Sequence, residues 1–436
     1  MRKGIFAILF LLYSITCLPQ NAADSVKKGW NIGFLPAIAF DSDLGLFYGI
    51  IINPFDYGDG SRYPDYMQQL RFQVAGYSRG SSDHYLDYDS FTLLPGVRFK
   101  TGIRYVGNQA YPFYGFNGNA AWYDHAEEVD NDPAYKSRIF YRQDRRVFLI
   151  YANVQDTIGK SKFQWHAGWE MGNYKIDTVN ITRLNRKLDA DERLPHIPTL
   201  YEMYTDWGII RESEKNGGLV NSFLLGLVYD SRNRLNNPDK GIFTELNIRW
   251  MPSFFSKHHF SGLSFGLIHK QYLSLIKNRL TFAYRVWLNA NLGGDPAYYT
   301  RQLLTTFTNS EGYGGFNTIR GMLMNRIVTS DFLLGNFELR SRLINFRFIN
   351  QNWYLGVTAF MDAGRIMKQV KIDFEQLPVY LYTEYFRERD KSIHKSLGAG
   401  LKLVMNENFI LSAEYAKPFD PQDGISGLYL GLDYLF

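Results

Sequence analysis

A short run, Gly262-Leu263-Ser264-Phe265-Gly266, fits the G-x-S-x-G pattern of a hydrolase nucleophile elbow. That chemistry needs the serine on a sharp strand-to-helix turn, with an acid and a histidine brought to it. Here the run lies inside an alternating stretch, where Gly262, Ser264 and Gly266 are simply small residues on one face. The 8 histidines are scattered, and His258-His259 has no third ligand at metal spacing. Asp56 and Asp59 beside Gly58 and Gly60 hint at a calcium loop, but the other ligand positions of such a loop are missing. Turn chemistry accounts for them. No catalytic residue, metal ligand set or cofactor motif emerges, and no enzyme is expected.

The spacing that does recur is a period of two. Thr244, Leu246, Ile248 and Trp250 share one face against Glu245, Asn247 and Arg249. Phe337, Leu339 and Leu343 alternate with Glu338, Arg340 and Arg342. Phe409, Leu411, Ala413 and Tyr415 do so with Ser412 and Glu414. Leu397, Ala399, Leu401, Leu403 and Met405 alternate with Gly398, Gly400 and Lys402. A second face of charges and glycines suits a wet lumen better than the dry inside of a sandwich. Further strands read near 30–40, 43–53, 66–78, 90–105, 138–154, 161–174, 218–230, 260–273, 278–291, 353–362 and 427–436. The total is about fifteen or sixteen, and an even number leaves both ends on one side, so an antiparallel transmembrane β-barrel of sixteen strands is expected.

Composition agrees. The chain has 436 residues, 17% of them aromatic, and 38 glycines, with a mean hydropathy of −0.27. That is too aromatic for an ordinary soluble enzyme and too polar for a helical membrane bundle. The 48 basic and 43 acidic residues are dispersed for a net charge of +5, without the basic tract that nucleic acid requires. Beyond the first residues no stretch reaches the ~18 apolar residues of a membrane helix. Spanning strands must then close into a barrel, because hydrocarbon leaves no partner for free backbone groups.

Residues 1–23 read as a signal peptide, with Arg2 and Lys3 ahead of the apolar run Ile5 to Leu18 and small residues at Ala22 and Ala23. The single cysteine, Cys17, lies within it, so the rest of the chain holds no disulfide or thiolate metal site. Acylation of Cys17 is the rival reading, though Thr16 is a poor residue to precede a lipidated cysteine. Residues 24–436 form one barrel domain set in outer-membrane lipid. The segments near 124–137, 175–217, 292–330 and 365–394 are long enough to be extracellular loops. Asp230 to Lys240, Asn278 and Asn406 to Asn408 mark the short-turn side. Trp30, Trp250, Trp287 and Trp353 near strand ends read as interface girdle. In the last strand Leu428, Leu430, Leu432, Tyr434 and Phe436 share one face. A terminal aromatic there resembles the assembly signal of bacterial outer-membrane proteins, carried by Phe436 and Tyr434.

From Glu311 the sequence reads EGYGGFNTIRGM. Within it Ile319-Arg320-Gly321-Met322 resembles the VRGF/Y-type motif of the BamA/TamA superfamily of outer-membrane insertases and translocases, with Met322 where the family carries an aromatic. Asn336 to Arg340 (NFELR) and Phe360 to Gly364 (FMDAG) follow in the family's order. Val228 to Thr244, with a DxR element ahead of a Pro and a Gly, is similar to a family turn. Ser396 to Phe419 resembles the penultimate hairpin, and Phe113 to Gly118 (FYGFNG) a further element. The ordered motifs cover 220–436.

The resemblance implies that the Arg320 loop folds back into the barrel and is clamped, at Arg320 and Gly321, to Glu338 and Asp362. Alternation turns both carboxylates inward, and a guanidinium fork matches carboxylates bidentately. It also implies a weak seam between first and last strands, and a role in outer-membrane protein insertion, translocation or surface display. No POTRA-type module is legible ahead of the first strand, which points to a barrel-only branch served by periplasmic or lipoprotein partners. The alternative is a passive porin-like channel or structural barrel.

Overall fold

The computed structural model describes residues 26–41, 45–186, 188–256, 259–301, 312–375, 377–387 and 393–436. The leader with Cys17, together with His258 and Glu311, lies outside the described residues. A single sheet of 16 strands follows chain order, each strand antiparallel to the next. In sequence these are β1 Trp30–Asp41, β2 Gly45–Asp56, β3 Gln68–Tyr77, β4 Ser82–Leu94, β5 Val97–Pro112, β6 Arg142–Thr157, β7 Phe163–Asp177 and β8 Gly217–Asp230. The second half comprises β9 Gly241–Met251, β10 Gly262–Ile276, β11 Leu280–Gly293, β12 Asp331–Phe348, β13 Gln351–Lys368, β14 Ile393–Met405, β15 Phe409–Pro418 and β16 Gly427–Leu432.

Alternation decides the faces as expected. On β13, Met361 is 41% exposed while its neighbour Asp362 is at 0%. The G-x-S-x-G run lies within β10, with Gly262, Ser264 and Gly266 buried on the lumen face. Short turns at one end use left-handed residues, Asn278 and the pair Asn406-Glu407 among them, as tight hairpins demand. The four longest connections, β5–β6, β7–β8, β11–β12 and β13–β14, all fall at the other end.

Three expectations change. The strand placed at 90–105 is two, β4 and β5, joined at Pro95-Gly96. The hidden half of β4 points Asp83, Asp87 and Asp89 inward, and acids are weak strand formers. Across the lumen face they meet Arg98, Arg104 and Tyr151, with Arg98 Nη2 2.5 Å from Asp89 Oδ2. Trp30 and Trp250 are half exposed on the outer surface, but Trp287 is buried in the lumen with Ile268 and Phe332. Finally, β16 stops at Leu432. Asp433 adopts φ 68° and turns the chain, so Tyr434 and Phe436 are buried inside rather than sharing the exposed face of Leu428 and Leu430.

The long loops are also more than polar connections. Phe113, Phe116, Phe140, Tyr201, Tyr204, Tyr298, Tyr385 and Phe386 join in one buried aromatic cluster. Residues from four connections therefore cap the barrel as a packed dome.

At the two ends of the sheet, β1 and β16 form no backbone pairing among the described residues. Their lengths are unequal, 12 residues against 6. The margins instead lap. Buried Gly33, between exposed Ile32 and Phe34, faces the Phe409 ring, and a Cβ on Gly33 would lie 2.3 Å from it. Phe55, Tyr57, Tyr66 and Met405 complete that contact.

Candidate functional site

Arg320 descends from the β11–β12 loop into the lumen and is wholly buried. Its Nε and Nη2 donate to Asp362 Oδ2 and Oδ1, both at 2.9 Å, and its own amide donates to Oδ2 at 3.0 Å. Nη1 donates to Glu338 Oε1 at 2.6 Å and to Glu414 Oε2 at 3.2 Å. The guanidinium carbon lies 3.4 Å from the centre of the Phe360 ring, where the ring's negative face attracts the cation. Two further cations share the acids: Arg340 Nε is 2.7 Å from Glu338 Oε2, and Lys402 Nζ is 2.6 Å from Glu414 Oε1.

The loop is held on both sides of the arginine. Arg285 Nη2 donates to Asn317 O at 3.0 Å, and Asn336 Nδ2 to Thr318 O at 2.7 Å. Ile319 and Met322 pack among Trp287, Phe332, Leu334 and Ile366. Gly321 has φ +87°, and a Cβ there would meet the Ala416–Lys417 backbone at 3.0 Å, so only glycine fits without strain. Its amide donates to Tyr429 Oη on β16 at 2.7 Å.

The fold thus brings Arg320, Gly321, Glu338 and Asp362 together in one cluster. Sequence reasoning misses Glu414, Lys402 and Tyr429 as members. Alternation turns Glu414 and Lys402 inward, so that signal is available for two of them. Tyr434 and Phe436 lie alongside: Arg340 Nη2 donates to Phe436 O at 2.7 Å, and Tyr434 Oη is 3.2 Å from Tyr354 Oη.

A second buried arginine has no sequence signal. Arg326 donates through Nε to Gln422 O at 2.7 Å, Nη1 to Gly118 O at 2.9 Å and Nη2 to Ala121 O at 2.8 Å. It ties the inward loop to the FYGFNG segment and to the β15–β16 connection. Burial lowers its pKa from the ordinary arginine value, with Asp423 opposing, but a guanidinium starts so high that it stays charged. No group of three or more His, Cys, Asp or Glu that could hold a metal ion occurs among the described residues. What the arrangement can do is mechanical: pin a loop and fix strand register.

A sixteen-stranded antiparallel sheet with an apolar outer face, a charged inner face and an arginine loop folded inside defines a transmembrane β-barrel of the outer-membrane type. The chain belongs to the Omp85 superfamily, whose domain matches residues 128–435. The match starts well ahead of the ordered motifs at 220–436, and Phe113–Gly118 lies just outside it. Among solved structures, the barrel is similar to BamA from Haemophilus ducreyi lacking POTRA domains 1-3, at 14% identity and TM-score 0.50, over 93% of this chain and 69% of that one. It also aligns with CdiB from Acinetobacter baumannii, at 11% identity and TM-score 0.42, over 93% and 66% of the two chains. A bacterial polysaccharide outer membrane secretin aligns at 10% identity and TM-score 0.39, over 93% and 96%. No curated protein matches the sequence.

Proposed function

We propose that this chain works at its seam, as an outer-membrane barrel that inserts, translocates or displays other proteins. The observation that carries this reading is the unpaired margin: among the described residues, a β1 of 12 residues faces a β16 of 6 without strand pairing. Free strand edges are costly in hydrocarbon and template an added strand. An incoming strand placed on β1 satisfies those groups. The Arg320 clamp holds β12, β13 and β15 together meanwhile, and reaches β16 through Tyr429. Periplasmic or lipoprotein partners would deliver the substrate, and the long-loop dome would face outward.

The test is photo-crosslinking from Ile32 and Phe34, on the outer face of β1, in native outer membranes. Adducts with other outer-membrane proteins or their carriers are expected. Adducts with lipid alone, together with steady conductance of the purified barrel in bilayers, would overturn the proposal in favour of a passive channel.

The terminal aromatic gives a second expectation. Deleting Phe436 should lower the amount of heat-modifiable barrel while leaving export to the periplasm unchanged. Its ring packs with Tyr272 and Ala283 across the lumen, so Phe436→Leu, which keeps the apolar contact, should assemble better than Phe436→Asp. Equal assembly of all three variants with the unaltered chain would remove any assembly role for Phe436.

A further inference from the structure

The β8–β9 turn, which the sequence marks with a DxR element, a Pro and a Gly, does not hang free. Strands β8 and β9 stand midway in the strand order, on the wall opposite the seam. Their connection is shaped from within: Asp230 pairs with Arg232 at 2.7 Å, and Asn233 Oδ1 accepts from the amides of Asp239 at 3.2 Å and Lys240 at 3.1 Å. So held, its tip crosses the short-turn mouth.

There it meets both margins of the seam. On the N-terminal side, the Leu235 amide donates to Asp65 Oδ1 at 3.0 Å, in the connection between β2 and β3. On the C-terminal side, Asn236 Nδ2 donates to Asn408 Oδ1 at 3.1 Å, and Asn237 Nδ2 to Tyr354 Oη at 2.7 Å and to Glu407 Oε2 at 2.5 Å. Arg234 Nη1 is 3.3 Å from the same carboxylate oxygen. The two margins also touch each other beneath the turn, where Asn408 Nδ2 donates to Tyr57 Oη at 3.0 Å and to Pro64 O. Leu235 packs on the cluster of Phe55, Tyr57, Tyr66 and Phe409 that fills the lap.

Asn237, Glu407, Asn408 and Tyr57 are all buried. Buried amides and carboxylates persist only when partnered, so each bond across the mouth has weight. A turn from the far wall that bonds one margin through Asp65 and the other through Glu407 and Asn408 spans the joint as a strap does.

We propose that residues 234–237 form a clasp that keeps the seam lapped at the short-turn end, and that releasing the clasp is what frees the β1 edge. The purpose of release rests on the function proposed above; the clasp itself does not. Opening at this end would be triggered by whatever engages the mouth from the short-turn side, since the bonds to be exchanged lie there.

Spin labels on the exposed positions Phe34→Cys in β1 and Leu430→Cys in β16, in a Cys17→Ser background of the full chain, report the seam distance. Phe148→Cys and Leu225→Cys, exposed on β6 and β8, report an ordinary stretch of wall. Asn236→Ala with Asn237→Ala should shift much of the seam distribution outward by about one strand spacing, ~5 Å, and leave the wall pair unchanged. Asp65→Ala removes only one bond and should give a smaller shift in the same direction; it decides the matter if the double variant does not fold. An unchanged seam pair in a folded variant, or equal broadening of both pairs, would overturn the clasp. A widened seam in a barrel whose β1 crosslinks no incoming strand would keep the clasp and remove the templating role.

Discussion

Arg320→Ala is expected to release the inward loop and to destabilise the folded barrel by about 3–5 kcal/mol, the cost of stranding buried charge when one partner of an ion pair is removed. The three acids around the arginine do not suffer equally. Glu338 keeps Arg340, and Glu414 keeps Lys402. Asp362 loses both side-chain bonds of the fork and keeps the hydrogen bond from the amide of residue 320, with Arg285 as the neighbouring cation that still acts on it through space. Relief should therefore come from Asp362: Arg320→Ala with Asp362→Asn ought to be milder than Arg320→Ala alone, whereas Glu338→Gln in the same background should help less. Arg320→Lys should rescue poorly, because an ammonium cannot reproduce two parallel bonds to one carboxylate while lying over the Phe360 ring. Protease sensitivity of residues 312–330 in the folded barrel and the temperature of heat modification are the two readouts. Unchanged values for Arg320→Ala, with either changed by Asp362→Ala, would mean that the carboxylate matters for another reason, and the clamp would have to be given up.

The legibility of this site in the sequence follows from where each residue sits. Glu338 and Asp362 lie on long strands with clean alternation, so a period of two is enough to turn them inward. Glu414 and Lys402 obey the same rule. Their membership escapes a sequence reading because alternation gives a face and not a distance across the lumen. The β4 strand escapes it because inward acids lower strand propensity, although Arg98 and Arg104 on the next strand satisfy them. Phe436 falls on the lipid face only if alternation is carried past Asp433, whose left-handed backbone ends it. Trp287 resembles girdle by type and position alone, yet lies on the inward parity of β11 with Arg285. The dome and the clasp are illegible for a shared reason: loops and turns have no period, and their partners lie far away in the chain, as with Arg326 and Gly118 or Leu235 and Asp65.

Arg326 lies in such a loop, and its replacement should separate the dome from the barrel beneath it. The guanidinium supplies donors to the carbonyls of Gln422, Gly118 and Ala121, all buried. Arg326→Met keeps much of the volume but removes every donor, and each carbonyl left dry costs about 1–3 kcal/mol. Arg326→Lys can serve one or two of them, so it should fall between. The loss is local, because the strand pairing and the Arg320 cluster do not pass through Arg326. The dome loops, 113–141 and 370–386, should become cleavable by protease in barrels that still show full heat modification. Since the dome caps the long-loop mouth, the loosened variant should also conduct ions in planar bilayers more than the unaltered chain does, while Asn236→Ala with Asn237→Ala, acting at the opposite mouth, leaves dome cleavage as it was. Dome loops in Arg326→Met as resistant as in the parent would mean the aromatic cluster of Phe113, Tyr204, Tyr298 and Phe386 holds the cap without the arginine. Packing alone, and not the carbonyl-bound cation, would then be what closes the barrel.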